Sequence, residues 1–306
     1  MNPTRPRPPG LLPLLVLLLM AMGPARAQDS PTLRKIQGTG VVVVGYRVGS
    51  VPFSYLDGHF KPIGYTMDLC HRVVTAIAGV LKQGHLTTKL IAVTPATRIP
   101  LVANGTVDLE CGVTTNTLSR QKSEAFTVTT FVAQSRLLGK KHSQIQSLGD
   151  LRSKTVVSTA GTTSISYLND VNIARNLKMK ILAGKDDAES FQMVETDRAV
   201  AYAMDDVLLY SLVANARNPD NFLISSEALT VEPYAIALTR NDPAFKKLVD
   251  GVLRGLFKSG EIHAIYNKWF LSPIPPKGIN LQLPMSAALK RAITSPTDSA
   301  DPALYQ

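Results

Sequence analysis

Short apolar runs alternate with amphipathic stretches along most of the chain. Runs rich in β-branched residues, such as 41–44 and Thr155–Thr159, predict strands, because these side chains pack well on a pleated surface. Between the runs, Leu69, Val73 and Ile77 recur at helical spacing. This alternation predicts an α/β fold in which helices cover both faces of a mostly parallel sheet.

The alternating pattern occurs twice, which predicts two lobes. One series of strands starts at 41–44, and a second starts at Thr155–Thr159 after a long extended run. At roughly 100 to 200 residues per domain, a chain of 306 residues also has the length of two lobes. We expect a clamshell with two crossover strands as its hinge, in which lobe 1 comprises 28–134 and 233–306 and lobe 2 comprises 135–232.

Local signals place further elements. Thr94 before Pro95 predicts a helix start, since a threonine side chain can cap a helix and proline is tolerated at its first position. Arg98 would then lie in the first turn of this helix. Residues 119–124 predict another short helix, and the proline-rich residues 272–277 predict an extended strap on the surface.

The first 27 residues have the three parts of a secretory signal peptide. Two arginines precede an apolar stretch at 11–22, which is followed by small residues at a cleavage pattern, 25–27. The alternative, a retained membrane anchor, needs about 18 to 20 uninterrupted apolar residues, but this stretch ends at Gly23 and Pro24. We therefore expect a soluble exported protein that starts near Gln28 and is located in the periplasm.

The balance of charges argues against nucleic acid as a partner. The formal net charge is +10, and removal of the leader takes away three arginines and lowers it to +7. The remaining cations are spread singly or in pairs, without interleaved aromatic residues, so a nucleic-acid interface is not expected. A basic surface favours the approach of anionic small molecules, although the same charge also serves solubility alone. We expect a monomer.

The only two cysteines, Cys70 and Cys111, are expected to form a disulfide bond, because export exposes an accessible pair to oxidation. The alternative is two separate buried thiols, since both lie in apolar runs. Five scattered histidines and two cysteines give no metal-ligand spacing. The sequence motifs of serine hydrolases, phosphate-binding loops and dinucleotide sites are also missing, so no cofactor is expected.

Candidate ligand-binding residues lie at strand ends and helix starts, where ligands bind in open α/β sheets. Arg98 and the threonines Thr162 and Thr163 could hold a carboxylate from opposite lobes, because a guanidinium and a helix N-terminus both attract anions. Asp205 could accept from an ammonium group, which leaves Arg47 for a ligand side chain. These groups match a zwitterionic amino acid. The alternative roles are surface charges and helix caps.

In this order, several motifs resemble the periplasmic solute-binding protein family of ABC transporters, in its glutamate/aspartate-binding branch. The motifs are VPFSY (51–55), RIPL (98–101), NGTVD (104–108), ECG (110–112), TTN (114–116), GTTS (161–164), RAVA (198–201), MDD (204–206) and PIPPK (273–277). The resemblance implies a type II two-lobe clamshell that binds an acidic L-amino acid and delivers it to a permease in the inner membrane, without catalysis.

The resemblance also implies roles for single residues. Arg98 and Thr115 match positions that hold the α-carboxylate, with Thr163 contributing from the second lobe. Asp205 matches the partner of the α-ammonium group, and Arg47 matches an arginine that meets the side-chain carboxylate.

Three residues of the expected pocket depart from the pattern of the branch: Pro95, Val113 and Asp187. Asp187 could pair with Arg47 and so remove the positive excess that an acidic side chain needs. A neutral polar amino acid, glutamine or asparagine, is therefore an alternative ligand. Two further alternatives on the same fold are an exported dehydratase acting on cyclic amino acid precursors and the ligand-sensing partner of a signalling protein.

Overall fold

The computed structural model describes residues 30–306 and shows the expected α/β architecture, with two main sheets and a small third one. The expected signal peptide, 1–27, and the expected start at Gln28 lie outside the described residues. Within 30–306, no helix combines the length and the apolar character needed to span a membrane.

The first half of the chain builds most of one sheet. Its helices and strands are α1 (Pro31–Thr39), β1 (Val41–Tyr46), β2 (Gly49–Ser50), β3 (Ser54–Leu56), β4 (Pro62–Ile63), α2 (Tyr65–Val80), β5 (Thr87–Ala92), α3 (Arg98–Ala103), β6 (Leu109–Glu110) and β7 (Glu124–Phe126). Strand β1 pairs in parallel with β5 and β6, as the strand and helix alternation predicted.

The second half builds the other sheet and then returns to the first. Its elements are β8 (Phe131–Lys140), β9 (Thr155–Thr159), α4 (Thr163–Ala174), β10 (Lys180–Gly184), α5 (Asp187–Glu195), β11 (Ala201–Asp205), α6 (Asp206–Asn215), β12 (Phe222–Ile224), β13 (Thr230–Tyr234), β14 (Ala237–Thr239), α7 (Pro243–Ser259), α8 (Glu261–Phe270) and α9 (Ala287–Thr294). The sheet orders are β5-β1-β6-β14-β7 and β10-β9-β11-β8-β12, with β13 paired to β8.

Strands β8 and β13 carry the chain between the two sheets in opposite directions. They pair antiparallel, from Phe131 opposite Tyr234 to Ser135 opposite Thr230. Two adjacent extended segments can absorb a bend in a few residues, as a clamshell hinge requires. The expected two-lobe fold with two crossover strands is confirmed.

An aromatic cluster anchors the start of β8 to the helices of the first sheet. The Phe131 ring stacks on Phe270 at 5.2 Å between centroids, and Phe270 stacks on Tyr266 at 4.3 Å. Phe53 meets Phe131 edge to face at 4.8 Å. Aromatic pairs of this kind add about 0.5–1.5 kcal/mol each to their burial. The cluster therefore gives the hinge one rigid end.

Cys70 on α2 and Cys111, directly after β6, form the expected disulfide bond. In the chain-entropy view, closing a loop with a sequence separation of 41 residues stabilises the fold by about 4 kcal/mol. Because Cys111 precedes the segment 112–115, the bond also fixes the start of that segment against α2.

Three local predictions need correction. The predicted helix at Pro95 begins only at Arg98, because the side chains of Thr94 and Thr97 bond to each other and to each other's backbone amides and so form a turn. Residues 119–124 contain only a short 3₁₀ turn, Arg120–Lys122, before β7 begins. Residues 272–277, predicted as an extended strap, instead fold back in a turn in which the Ile274 amide donates to Ile279 O at 2.9 Å, and the chain then continues into α9, which was not predicted.

The C-terminal segment braces the start of the hinge. The Tyr305 side chain is 3% exposed, and its hydroxyl lies 2.8 Å from Thr129 Oγ1. The amide of Thr129 donates to Thr297 O at 2.9 Å. Tyr305 also joins Val132 of β8 and Ala292 of α9 in one apolar cluster. The segment after α9 therefore ties the crossover strand to the C-terminal helix.

Removal of residues 296–306 is expected to lower the free energy of unfolding by about 3 kcal/mol, the usual cost of losing one buried aromatic side chain. Urea unfolding of the truncated and full-length proteins measures this difference. Tyr305→Phe is the matched control, because it keeps the ring and loses only the two hydroxyl hydrogen bonds, to Thr129 and Ser299, about 1 kcal/mol each. An unchanged unfolding midpoint in the truncated protein would exclude a bracing role.

Candidate functional site

The predicted site residues lie at strand ends and helix starts around the space between the two sheets. Seven of the eight are at most 5% exposed, and only Thr163 is partly exposed; the seven are Arg47, Arg98, Val113, Thr115, Thr162, Asp187 and Asp205. Such burial of charged side chains away from a surface needs compensating partners. The hydrogen bonds and ion pairs of these side chains therefore show which of them lie together.

Arg98 is the first residue of α3 and is held by the segment after β6. Its Nη1 donates to Val113 O at 2.7 Å, whereas its buried Nε has no hydrogen-bond partner among the described residues. Burial lowers the pKa of Arg98 to about 9, and repulsion from Arg120 adds to the shift, while Glu110 opposes it. At neutral pH the guanidinium is still a cation, with a donor free for an anion.

Arg47 and Asp187 form an ion pair between the first sheet and α5. Arg47 Nη2 lies 3.6 Å from Asp187 Oδ2, and both side chains are nearly inaccessible. The Arg47 backbone amide donates to Ser54 Oγ at 2.9 Å, which fixes the loop after β1. The buried Nη1 of Arg47 has no hydrogen-bond partner in the described part of the chain. The predicted pairing of these residues is thus present.

Asp205 ends β11 and faces the hinge strand β13. The hydroxyl of Tyr234 donates to Asp205 Oδ2, while Oδ1 is buried without a partner in residues 30–306. Burial raises the pKa of Asp205 well above its usual range, and repulsion from Glu232 adds to the shift. A cation placed at Oδ1 would offset both unfavourable contributions.

The two threonines at the start of α4 have different roles. Thr162 is the N-cap: its Oγ1 accepts from the Ile165 amide at 3.3 Å and donates to Thr159 O at 2.6 Å. Thr163 Oγ1 donates to Glu232 Oε2 at 2.7 Å. The Thr162 side chain is therefore occupied by the backbone, and Thr163 is linked to the hinge strand.

The segment 113–115 contributes main-chain groups to the same region. Val113 O accepts from Arg98, and Thr115 O accepts from Arg120 Nη1 at 2.9 Å. Thr115 also forms a bridge to Tyr234, the residue that donates to Asp205. Tyr234 therefore links the segment that holds Arg98 to Asp205.

Arg120 spans the space between the sheets and was not identified from the sequence. Its Nη2 donates to Gly161 O at 3.2 Å, and its Nη1 donates to Thr115 O. Burial lowers its pKa, and attraction by Glu232 opposes this shift. No sequence signal marks Arg120, because it lies in a short turn rather than at a strand end or helix start.

The two sides of the site are in direct contact at Gly161. This residue has φ +77°, and a Cβ atom at its position would lie 2.8 Å from backbone atoms of Pro95 and Ala96. Glycine alone allows such a close approach at positive φ without strain. Arg120 and the Arg47–Asp187 pair also cross between the sides. The site is therefore enclosed by both lobes.

The sequence profile of the bacterial extracellular solute-binding proteins, family 3, matches residues 42–272 of this chain. The protein belongs to this family. The resemblance inferred from the motifs is confirmed, and the role of this solute-binding protein is binding rather than catalysis. The strap, α9 and the segment that braces the hinge lie after the matched region or at its very end.

Curated relatives cover nearly the whole chain of the solute-binding protein. It is 46% identical over 294 residues to the L-glutamate/L-aspartate-binding protein of Pseudomonas aeruginosa, covering 95% of this chain and 97% of the relative. It is 42% identical over 291 residues to the glutamate/aspartate import solute-binding protein of Escherichia coli, covering 94% and 96%. A mutant of ArgBP from T. maritima has a similar structure, with a TM-score of 0.69 and 26% identity over 78% of this chain and 98% of that one.

The solute-binding protein also has two buried glutamates, Glu110 and Glu124. Glu110 is fully buried; its Oε2 accepts from Thr114 Oγ1 at 2.6 Å, and its Oε1 has no partner within 30–306. Glu124 is 1% exposed, and neither of its carboxylate oxygens has a partner there. Asp108, just before β6, pairs with Lys35 and accepts from the Val43 amide.

The buried Glu124 is expected to make stability fall with rising pH. Burial raises its pKa from 4.5 to about 7, although Arg120 and Arg98 oppose the shift. Above pH 4.5 the unfolded chain releases this proton while the folded protein retains it, so stability falls as the pH rises to about 7. Glu124→Gln should reduce the difference in unfolding free energy between pH 5 and pH 8.

Urea unfolding at the two pH values measures this contribution. The exposed Glu195, at the end of α5, provides the control variant Glu195→Gln, which should keep the pH dependence of the wild-type protein. Equal pH dependence in Glu124→Gln and in wild type would refute the role of Glu124.

In the part of the chain from residue 30 onward, no group of three or more histidine, cysteine, aspartate or glutamate side chains is placed to hold a metal ion.

Proposed function

We propose that this solute-binding protein binds L-glutamate or L-aspartate between its lobes in the periplasm and delivers it to an ABC transporter permease in the inner membrane. The observation that carries the proposal is that three buried atoms of the predicted site residues have no hydrogen-bond partner within 30–306: Arg98 Nε, Arg47 Nη1 and Asp205 Oδ1. Two cationic donors and one anionic acceptor complement the two carboxylates and one ammonium group of a dicarboxylic amino acid.

Each end of the ligand has a proposed partner. Arg98 binds the α-carboxylate, together with Thr115 and Thr163. Asp205 binds the α-ammonium group through Oδ1, because its Oδ2 already accepts from Tyr234. Arg47 binds the side-chain carboxylate through Nη1. The names of the two curated relatives, which are similar along almost their whole length, support the acidic side chain.

The proposed lobes are 28–134 with 233–306, and 135–232, joined by β8 and β13. Ligand would bind to one lobe in an open form and be enclosed when the hinge bends. The contacts from Arg120 to Gly161 and from Arg47 to Asp187 would then form on closure. The protein is proposed to act as a monomer, without nucleic acid.

Calorimetry with the purified mature protein tests the ligand class. L-glutamate, L-aspartate, L-glutamine and L-asparagine are titrated separately, and an acidic member of the panel is expected to bind most tightly. Arg47→Met should weaken binding of the acidic ligands by about 10- to 100-fold, the value of one charge-assisted hydrogen bond, and weaken binding of the amides less.

Arg72→Met is the matched control, because Arg72 lies on the exposed surface of α2 and pairs with Glu261. Its ligand affinities should equal those of the wild type. Absence of binding by all four amino acids, or tightest binding of a cationic amino acid, would contradict the proposal.

A further inference from the structure

We infer that Asp187 sets the ligand preference of this site by sharing Arg47 with the ligand side chain, and so reduces the discrimination between an acidic amino acid and its amide. This inference rests on the proposed function and concerns one end of the ligand. The α-carboxylate and α-ammonium groups, which all amino acids share, have other partners.

Asp187 is fixed in place by hydroxyl groups that do not depend on a ligand. Its Oδ1 accepts from Thr159 Oγ1 at 3.0 Å and from Tyr202 Oη at 3.2 Å. Its Oδ2 accepts from Ser50 Oγ at 3.4 Å, across the space between the sheets. As the first residue of α5, it also lies where a helix stabilises negative charge. In the closed form, the carboxylate therefore lies beside Arg47.

The contact of Asp187 with Arg47 leaves the Nη1 donor of Arg47 available to a ligand but balances the positive charge of its guanidinium. The distance of 3.6 Å between Arg47 Nη2 and Asp187 Oδ2 is long for a hydrogen bond, so the two groups interact mainly as charges. Nη1 keeps its hydrogen-bonding capacity for a ligand. An amide oxygen and a carboxylate oxygen can both accept from Nη1, so this bond alone does not distinguish them.

Charge is what distinguishes a carboxylate from an amide at such a donor. A second carboxylate bound by Arg47 would lie close to Asp187, and like charges a few ångströms apart repel strongly in a buried site. A ligand amide is neutral and avoids this repulsion. Asp187 therefore weakens the acidic ligand selectively.

The inference predicts the effect of removing this one charge. Asp187→Asn keeps an oxygen that can accept from Thr159 and Tyr202, but it leaves the Arg47 charge uncompensated. The ratio of glutamine to glutamate dissociation constants should rise by about tenfold or more relative to wild type. The ratio matters because a general loss of lobe closure would weaken both ligands alike.

Asp186→Asn is the matched control at the neighbouring residue. Asp186 is the N-cap of α5 and accepts from the Glu189 amide at 2.8 Å, a role that asparagine fills equally well. The structure places no contact between Asp186 and Arg47 among its ion pairs within 30–306. Its ratio of dissociation constants should stay within about twofold of wild type.

Calorimetric titration of both ligands into the wild type, Asp187→Asn and Asp186→Asn provides the test. If Asp187→Asn folds poorly, as judged by its melting temperature, Asp187→Ser removes the same charge and should raise the ratio in the same way. An unchanged ratio in the folded charge-removing variants would overturn the inference. Failure of the wild type to bind any of the panel would instead refute the proposed function, so the two failures are distinguishable.

Discussion

Replacement of Arg98 by methionine is expected to abolish binding of every amino acid, with affinities lower by about a thousandfold or more. The α-carboxylate is common to all amino acids, and Arg98 offers it a buried, cationic donor. One charge-assisted hydrogen bond of about 1.5–3 kcal/mol, together with the Coulomb attraction between the buried guanidinium and the carboxylate, accounts for a loss of this size. Isothermal titration calorimetry with glutamate, aspartate, glutamine and asparagine measures it.

Two further variants show whether the loss is specific. Arg98→Lys keeps the charge but not the planar fork, so it should recover only part of the affinity. Arg98→Met also removes a positive charge near Glu110 and Glu124, so its melting temperature must be compared with that of the wild type. A folded Arg98→Met protein that binds glutamate within about tenfold of wild type would show that the α-carboxylate is held elsewhere.

Asp205→Asn is expected to raise the melting temperature of the unliganded protein and to remove its stabilisation by ligand. The folded protein bears the cost of the buried Asp205 carboxylate, whose pKa burial raises well above the usual range. Its contribution to stability therefore falls as the pH rises above 3.8, the ordinary value, and is unfavourable at neutral pH. Asparagine removes that cost, so the melting temperature should rise by about 3 °C or more.

In the proposed function, the ammonium group of the ligand offsets this cost in the wild-type protein. Glutamate at about 100 times its dissociation constant should stabilise the wild type by about 2.7 kcal/mol, and Asp205→Asn should show almost none of this effect. Thermal melts with and without ligand measure both changes. Asp220→Asn, at an exposed turn, is the control and should behave as wild type. A ligand-induced shift retained in Asp205→Asn would exclude an ammonium-binding role.

The sequence predicted those helices and strands whose capping residues and side-chain types suit their environment in the folded protein. Helix α5 begins where a local signal lies, because the Asp186 side chain caps it by accepting from the Glu189 amide. Strand β9 also has its expected bounds, since five β-branched or small residues suit a buried strand. In both cases, the local sequence favours the same secondary structure that packing in the fold requires.

Two helices show where local signals were insufficient. The start predicted at Pro95 was wrong because Thr94 bonds to Thr97 in a turn instead of capping a helix. Helix α9 was missed although Ser286 caps it and Leu289, Ala292 and Ile293 form a buried face. That face was detectable by its spacing, but the prolines of the preceding strap favoured an extended segment.

Residues of the candidate site could be proposed from the sequence where strand ends supply them, and not where tertiary pairing supplies them. Arg47, Arg98 and Asp205 follow from the rule for open α/β sheets. Glu232 and Tyr234 belong to the hinge strand β13, and only its pairing with β8 brings them to Thr163 and Asp205. No periodicity or motif in the sequence encodes that pairing.

A crystal structure of the protein with bound L-glutamate tests the central claim most directly. The amino acid is expected between the two sheets, with its α-carboxylate about 3 Å from the Arg98 guanidinium and its ammonium group about 3 Å from Asp205 Oδ1. Electron density for the ligand outside this space, or with neither side chain in contact with it, would show that Arg98 and Asp205 do not bind the ligand.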